Sequence, residues 1–306
     1  MPDILNILTC PACGGRLTRC GSSLVCLDTE RHHTYDIARS GYVNLLPPGR
    51  GRNSRTGDDA DMVHARVKFL SLGMYDRLSD EATRLIDIYA PEGDVLTLID
   101  SGCGEGYHTR RIARAVSRPI SVAAFDASKR ATDLASRVAV SDQLSPHGGI
   151  GMPPNSDTSR NIAFITGNIF SLPVKDSSAD AVLSMFAPIA WAENLRILRP
   201  GGITVVASSG SDHLIELRSV IYDHVIKKES APAAEDGFSE ISCTNVRYSI
   251  HLPDTESIIA LFRMTPFSHR TSEGACARLT ELPELDVTVD TNFRVFRKER
   301  VRGLQA

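Results

Sequence analysis

The chain has 306 residues, of which 42% are hydrophobic and 23% charged, and its formal net charge is −3. This composition fits a globular protein that buries one large core plus a small accessory module. The net charge does not favour a nucleic-acid partner, although a local basic stretch can supply contacts to one. No apolar run approaches the roughly 20 residues that cross a bilayer, and the first residues lack the features of a signal peptide, so we expect a cytoplasmic protein with no membrane partner.

The first cysteines in the chain follow a metal-binding spacing. Cys10 and Cys13 form a Cys-x2-Cys knuckle followed by two glycines, the arrangement in which two thiolates bind one tetrahedral zinc ion. Cys26 and a histidine would complete a Cys3His site. Such a closed site leaves no open coordination position, so we expect a structural role for the metal. The residues considered as ligands are Cys10, Cys13, Cys26, one of His32 and His33, and, less favoured, Cys20.

A polar, glycine-rich segment over residues 48–61 separates this part from the rest of the chain. It contains Arg50, Arg52 and Arg55 and almost no apolar residue, which predicts an exposed linker. Three arginines so close together could contact phosphates, with binding that weakens as the salt concentration rises. A solvated linker without a partner fits the composition equally well.

Beyond the linker, apolar stripes at helical spacing alternate with short runs rich in β-branched residues. The helices are predicted over residues 62–70, 79–89, 108–116, 128–140, 191–198, 213–226 and 255–264. The strands are predicted over residues 95–100, 121–126, 162–166, 181–186, 203–208, 244–252 and 286–296. This alternation predicts an α/β fold with a mostly parallel sheet, helices on both faces and one antiparallel strand near the C-terminal end. Residues 141–160, rich in proline, glycine and polar side chains, are predicted to form a surface loop.

The first long strand ends in the pattern Asp-x-Gly-x-Gly-x-Gly, formed by Asp100, Gly102, Gly104 and Gly106. Glycines there permit a tight bend, let a ligand lie against bare backbone, and let the next helix start close to the strand. The spacing differs from the dinucleotide pattern Gly-x-Gly-x-x-Gly and points to S-adenosylmethionine (SAM), which has no pyrophosphate. Asp126 ends the next strand, where a carboxylate would accept hydrogen bonds from two ribose hydroxyls. The sequence therefore predicts a SAM site at the carboxyl ends of these strands.

The cysteine spacing and the glycine-rich turn, together with six further motifs, carry a family resemblance. They are Cys-Pro-Ala-Cys at 10–13, Ser-Gly-Tyr-Val-Asn-Leu-Leu-Pro at 40–47, the glycine-rich turn at 100–109, Leu-Pro at 172–173, Phe-Ala-Pro at 186–188, Arg-Pro-Gly-Gly at 199–202, His-Leu-Ile-Glu-Leu at 213–217 and Met-Thr-Pro-Phe at 264–267. In this order they resemble the bacterial 23S rRNA guanine-N1 methyltransferases of the RlmA type, a family that includes enzymes conferring resistance to macrolides such as tylosin. The motifs at 40–47 and 264–267 are specific to this family, whereas the glycine-rich turn and Arg-Pro-Gly-Gly occur in class I methyltransferases generally.

The resemblance implies a class I SAM-dependent methyltransferase, Rossmann-like, with a small zinc-binding module in front. The implied organisation is a zinc-binding RNA-recognition module over 1–47, the basic linker over 48–61 and the methyltransferase domain over 62–306. In the family, the ligand histidine is followed by any one residue, then an aromatic residue and then an aspartate. His33, followed by Thr34, Tyr35 and Asp36, matches this pattern. The implied zinc ligands are Cys10, Cys13, Cys26 and His33. The SAM contacts, from the resemblance and the glycine pattern together, are Tyr75, Asp100, Gly102, Gly104, Glu105, Gly106, Asp126 and His213.

The implied activity is methyl transfer from SAM to N1 of a guanine in a hairpin of 23S rRNA, by a homodimer. No residue is assigned as the general base. One alternative is a SAM-dependent enzyme that acts on a small molecule and has a purely structural zinc module, which the arginine-rich linker disfavours. Another is a zinc-ribbon RNA-binding protein that has lost SAM, which the complete set of glycines and carboxylates disfavours.

Overall fold

A computed structural model describes residues 4–28, 33–47, 60–144, 160–227, 234–269 and 271–299. The three linker arginines, the alternative ligand His32 and residues 145–159 of the predicted surface loop lie outside the described residues. Within the described part of the chain, no helix is both long and apolar enough to cross a membrane.

The chain begins with a small antiparallel sheet. A 3-10 helix over Ile4–Ile7 precedes the strands β1 (Leu17–Cys20), β2 (Ser23–Cys26) and β3 (Thr34–Asp36), which pair in the order β1-β2-β3. Strands of three or four residues bury too little apolar surface to be stable alone, so this unit depends on additional links.

The remaining elements form one large α/β unit. In chain order they are β4 (Val43–Asn44), α1 (Ala60–Leu70), α2 (Asp76–Tyr89), β5 (Leu96–Ser101), α3 (Tyr107–Ala115), β6 (Ile120–Asp126), α4 (Lys129–Leu144), β7 (Arg160–Thr166), β8 (Ala179–Met185), α5 (Trp191–Ile197), β9 (Leu198–Ser209), α6 (Ile215–Ile221), β10 (Phe238–Leu252), α7 (Thr255–Arg263), a 3-10 helix (Pro266–His269), α8 (Glu273–Thr280) and β11 (Leu285–Lys298). The eight strands β4 to β11 lie in the order β10-β11-β9-β8-β5-β6-β7-β4.

The sheet confirms the predicted topology. Strands β4 to β9 pair in parallel, and β11 pairs antiparallel with both β9 and β10, so that β11 alone runs against the other seven. Every residue of β5 and of β8 is buried, as expected for central parallel strands that are covered on both faces. Since β5 lies between β6 and β8, chain order reverses there, and ligands bind at such a switch point.

The two faces of the sheet are covered differently. Leu98 packs in a core with helices α1, α2, α3, α6, α7 and α8, whereas its neighbour Ile99 packs in a second core on the other face. That second core contains Ile4 and Leu8 of the N-terminal unit together with Ile197 of α5. The N-terminal unit and α5, rather than a full layer of helices, therefore cover this face.

Backbone pairing also attaches the N-terminal unit to the sheet. Strand β4 is only two residues long and extends the sheet beyond β7, with Val43 opposite Ile165. On the same side, the Thr9 N–H donates to the Pro173 carbonyl at 2.8 Å. The sequence analysis did not predict β4, because two residues are too short for an alternating pattern.

The predicted helix over 213–226 is wrong in length. Helix α6 has only seven residues, because Leu214 adopts a left-handed backbone conformation (φ +53°) and the chain is extended again at Tyr222. The Arg218 side chain donates to the carbonyls of Ser211 and Ile226, which ties the flanking segments together. Helix α8 was not predicted.

The single tryptophan offers a test of packing between α5 and the sheet. Trp191 at the start of α5 packs edge-to-face on Phe296, with ring centroids 4.9 Å apart, and Phe296 is fully buried. We expect Phe296→Ala to lower the free energy of unfolding by about 3–5 kcal/mol through cavity formation, and to shift the Trp191 emission to the red as water enters. Urea denaturation followed by fluorescence measures both. Ile88→Ala, at an exposed position of α2, is the control, and equal stability of the two variants would contradict this packing.

Candidate active site and metal centre

The carboxyl ends of β5 and β6 place two aspartates beside the glycine-rich turn. Asp100 is buried and accepts a hydrogen bond of 2.5 Å from the Thr109 hydroxyl. Burial, with the nearby charges of Asp126 and Glu105, raises the pKa of Asp100 to about 7. Asp126 accepts hydrogen bonds from the backbone N–H of Gly104 at 2.9 Å and of Ser128 at 2.8 Å. The turn is therefore tied directly to the second strand end.

The three glycines of the turn meet different neighbours. All three have positive φ, and a Cβ on Gly102 would come within 2.5 Å of the Ala187 Cβ, while one on Gly106 would come within 2.6 Å of the Phe164 ring. At Gly104 the nearest atom to an added Cβ is the Arg66 Nη1, 3.4 Å away. Gly102 and Gly106 thus permit close packing, and Gly104 lies against the Arg66 side chain of α1.

Tyr75 and His213, 138 residues apart in sequence, meet at this edge. The Tyr75 Oη lies 3.4 Å from the His213 Nε2, and both side chains are buried. The Asp290 N–H donates to the His213 Nδ1 at 3.2 Å, which assigns the ring hydrogen of neutral His213 to Nε2. Burial lowers the pKa of His213 to about 4, so the ring is neutral at pH 7. His213 therefore presents a hydrogen-bond donor at Nε2.

Glu105 follows Gly104 and is nearly fully buried. Burial raises the pKa of its carboxyl group, and Arg66 of α1 opposes this shift from 3.8 Å. The Glu105 Oε2 is buried, and none of the described residues donates a hydrogen bond to it. A buried carboxylate oxygen without a donor is expensive unless a ligand hydroxyl or amine supplies one, so this atom fits a bound polar ligand.

The four predicted metal ligands come together in the N-terminal unit. The donor atoms of Cys10, Cys13, Cys26 and His33 all lie within 4.8 Å of one another. The Cys13 and Cys26 sulfurs are 3.5 Å apart, and the Cys10 sulfur is 3.5 Å from the His33 Nδ1. A tetrahedral zinc ion, with bonds of about 2.0–2.3 Å, needs donor atoms about 3.5–3.8 Å apart. The donor set therefore fits zinc, and Cys20 is not part of it.

A cleft of about 1080 Å³ separates the metal-ligand knuckle from the carboxyl ends of β6 and β7. Its inner end is lined by Ser128 and Asn168, two residues beyond the respective strand ends. Its outer walls include Cys10 and Lys175. The Lys175 Nζ donates to the Asn6 carbonyl at 2.6 Å, which links the two sides of the cleft. The cleft is therefore bounded by the N-terminal unit on one side and by the segments that follow β6 and β7 on the other.

Comparison with known proteins agrees with this two-part organisation. Residues 8–54 match the zinc-ribbon family described as "RlmA, N-terminal", and residues 99–206 match a family described as "Methyltransferase domain". Among solved structures, the YcgJ protein from Bacillus subtilis is similar, at 13% identity and a TM-score of 0.45, covering 72% of this chain and 99% of that one.

Two curated relatives match nearly the whole chain. The 23S rRNA (guanine(748)-N(1))-methyltransferase of Streptomyces fradiae is 30% identical, covering 96% of this chain and 98% of the relative. The chain belongs to the 23S rRNA (guanine-N(1)-)-methyltransferase family. A Micromonospora griseorubida protein, provisionally given the same activity, is 32% identical, covering 97% of this chain and 98% of its own. The cofactor of this methyltransferase is SAM, and the metal of its N-terminal ribbon is zinc.

Sequence reasoning located the glycine-rich turn but missed several of its neighbours. Arg66, which faces Gly104 and Glu105, was assigned only to a predicted helix. Phe186, whose ring lies near those of Tyr75 and His213, was predicted as the end of a strand and as part of a motif, without a role of its own in the site. Its place just after a buried parallel strand could have identified it, because ligands bind at such strand ends. That Tyr75, Glu105 and His213 contact SAM stays a prediction.

A second histidine, half-buried beside the turn, predicts a pH-dependent contribution to stability. His108 lies in the first turn of α3, 2.8 Å from the Ser79 hydroxyl, and burial lowers its pKa to about 3. The unfolded chain binds a proton at this position below pH 6.5 and the folded chain does not, so His108 destabilises the fold as the pH falls. We expect His108→Gln to have a lower free energy of unfolding than wild type at pH 7.5. At pH 5.5 the difference in the free energy of unfolding between the two proteins should be about 1.4 kcal/mol smaller.

Urea denaturation at the two pH values measures this change. Because other groups titrate equally in both proteins, the difference between wild type and variant isolates His108. A gap that stays constant would mean that His108 is charged, or exposed, in the folded protein.

Proposed function

We propose that the protein transfers the methyl group of SAM to N1 of a guanine in a hairpin of 23S rRNA. The observation that carries this proposal is the match to relatives with this named activity over 96–97% of the chain, across both the ribbon and the methyltransferase domain. A small-molecule substrate would not account for a shared ribbon of the RlmA type. A non-catalytic role disagrees with the complete glycine-rich turn and the buried carboxyl groups around it.

The residues at the strand ends fit SAM, which supplies an electrophilic methyl group when bound. Asp126 lies at the end of β6 and is held against the Gly104 backbone, where its carboxylate is proposed to accept hydrogen bonds from the ribose. The Glu105 Oε2 offers an acceptor for one of the remaining polar groups, and His213, whose Nε2 lies 3.4 Å from the Tyr75 Oη, is proposed to line the same site. The proposed SAM-binding residues are Tyr75, Asp100, Gly102, Gly104, Glu105, Gly106, Asp126 and His213.

The chemistry requires that guanine lose a proton. N1 of neutral guanine carries a hydrogen, so a base must accept it as N1 attacks the methyl group in line with the bond that breaks. His213 does not suit this role, because its Nε2 already carries a hydrogen and its Nδ1 accepts from the Asp290 backbone. We assign His213 to holding SAM rather than to taking the proton.

The N-terminal module is proposed to bind zinc through Cys10, Cys13, Cys26 and His33 and to grip the RNA. The phenol of Tyr35 lies 3.1 Å from the Cys10 sulfur, where it can donate to a zinc-bound thiolate and stabilise it. The cleft beside this module has room for a nucleic-acid strand, and the linker arginines would add phosphate contacts. The family resemblance also supports a homodimer, and an rRNA substrate supports a cytoplasmic location.

Nucleoside analysis of methylated RNA tests this function. We expect the purified protein with SAM to form N1-methylguanosine in 23S rRNA that lacks this modification, and primer extension to stop at one guanine, since methylation at N1 blocks base pairing. Replacing that guanine by adenine in a hairpin transcript is the control and should abolish methyl transfer. Methylation of a metabolite fraction without methylation of any rRNA would refute the proposal.

A further inference from the structure

Phe186 holds an unusual backbone conformation at the end of β8. Its φ is +54°, in the left-handed region that residues other than glycine rarely adopt. The Phe186 N–H donates to the Ala207 carbonyl of β9 at 2.9 Å, so the conformation is fixed by the sheet. Such a residue is strained, and strained residues are found preferentially at functional sites.

The turn that follows Phe186 is packed directly on the glycine-rich turn. Ala187 occupies the space that a side chain at Gly102 would need, since an added Cβ would lie 2.5 Å from the Ala187 Cβ. The Ser184 hydroxyl donates to the Ala187 carbonyl at 3.3 Å and closes the turn on its other side. Phe186 is therefore held next to the proposed SAM site by contacts on both sides of its turn.

The ring of Phe186 lies over the two buried rings of the site. Its centroid is 5.6 Å from that of His213 and 6.5 Å from that of Tyr75, with tilts of 32° and 34°. Phe186 is 42% exposed, whereas Tyr75 is 3% and His213 8% exposed. Phe186 is thus the aromatic side chain of this cluster that a substrate arriving from solvent meets first.

A flat, exposed aromatic ring beside a methyl donor suits one kind of substrate group. A base whose N1 is to react must leave its stack and its pair, and proteins hold such bases by stacking them on aromatic side chains. We propose that Phe186 is the residue on which the target guanine stacks, with its N1 turned toward the SAM site. This assignment rests on the proposed function and adds the residue that positions the substrate base.

The test compares substitutions that keep or remove the aromatic face. Stacking of a base on an aromatic ring corresponds to about a 5- to 150-fold effect. We expect Phe186→Leu to lower kcat/KM for the RNA 10- to 100-fold and to change the Kd for SAM, measured by calorimetry, less than twofold. Phe186→Trp keeps a flat face and should retain kcat/KM within about threefold of wild type.

The control substitution lies at the far end of the molecule. Ile88 is 56% exposed in the last turn of α2, about 20 Å along the helix from Tyr75, and Ile88→Ala should leave kcat/KM unchanged. Circular dichroism establishes that each variant is folded.

Three outcomes would overturn the assignment. The first is a Phe186→Leu enzyme whose kcat/KM stays within twofold of wild type. The second is a loss of SAM affinity as large as the loss of kcat/KM, which would mean that the ring holds SAM. The third is a Phe186→Trp enzyme as impaired as Phe186→Leu. Wild-type activity separates this inference from the proposed function, because N1-methylguanosine formed by wild type supports the function whatever Phe186 does.

Discussion

The close approach of Gly102 and Ala187 joins the two turns on which the site depends. The glycine-rich turn leaves β5 and the Phe186–Pro188 turn leaves β8, and chain order reverses between these neighbouring strands. A β-carbon on Gly102 would force the turns apart, since it would lie 2.5 Å from a carbon atom of the opposite turn. The sheet thus brings the proposed SAM site and an exposed aromatic ring together, and the glycine allows the two turns to touch.

The N-terminal zinc module is built into the same body. Its residues Ile4 and Leu8 lie in the core on one face of the sheet, and β4 extends the sheet past β7. The module therefore replaces a layer of helices on that face. This attachment fixes the distance between the metal-ligand knuckle and the strand ends across the cleft. If the N-terminal module grips the RNA as proposed, this fixed spacing would orient the RNA for methyl transfer, and orientation lowers the barrier to reaction.

Features set by local sequence could be predicted, and features set by distant contacts could not. The apolar runs predicted the parallel strands and their alternation with helices, and the glycine spacing predicted the turn. Both features depend on residues that are neighbours in the sequence. The left-handed backbone at Leu214 shortened α6, and it depends on a hydrogen bond to Thr288 on β11. The exposure of Phe186 also follows from the packing of its turn on Gly102, which no periodicity reveals. Spacing alone left the zinc histidine open, and folding brings His33 to the three thiols.

Calorimetric titration of SAM into wild type and Gly102→Ala tests the central claim most directly. Gly21→Ala is the matched control, because Gly21 also has positive φ but an added Cβ would meet no atom within 4 Å. If the two turns must touch to form the SAM site, Gly102→Ala will bind SAM at least tenfold more weakly, whereas Gly21→Ala will bind it like wild type. Equal SAM affinity in a folded Gly102→Ala protein would contradict the account.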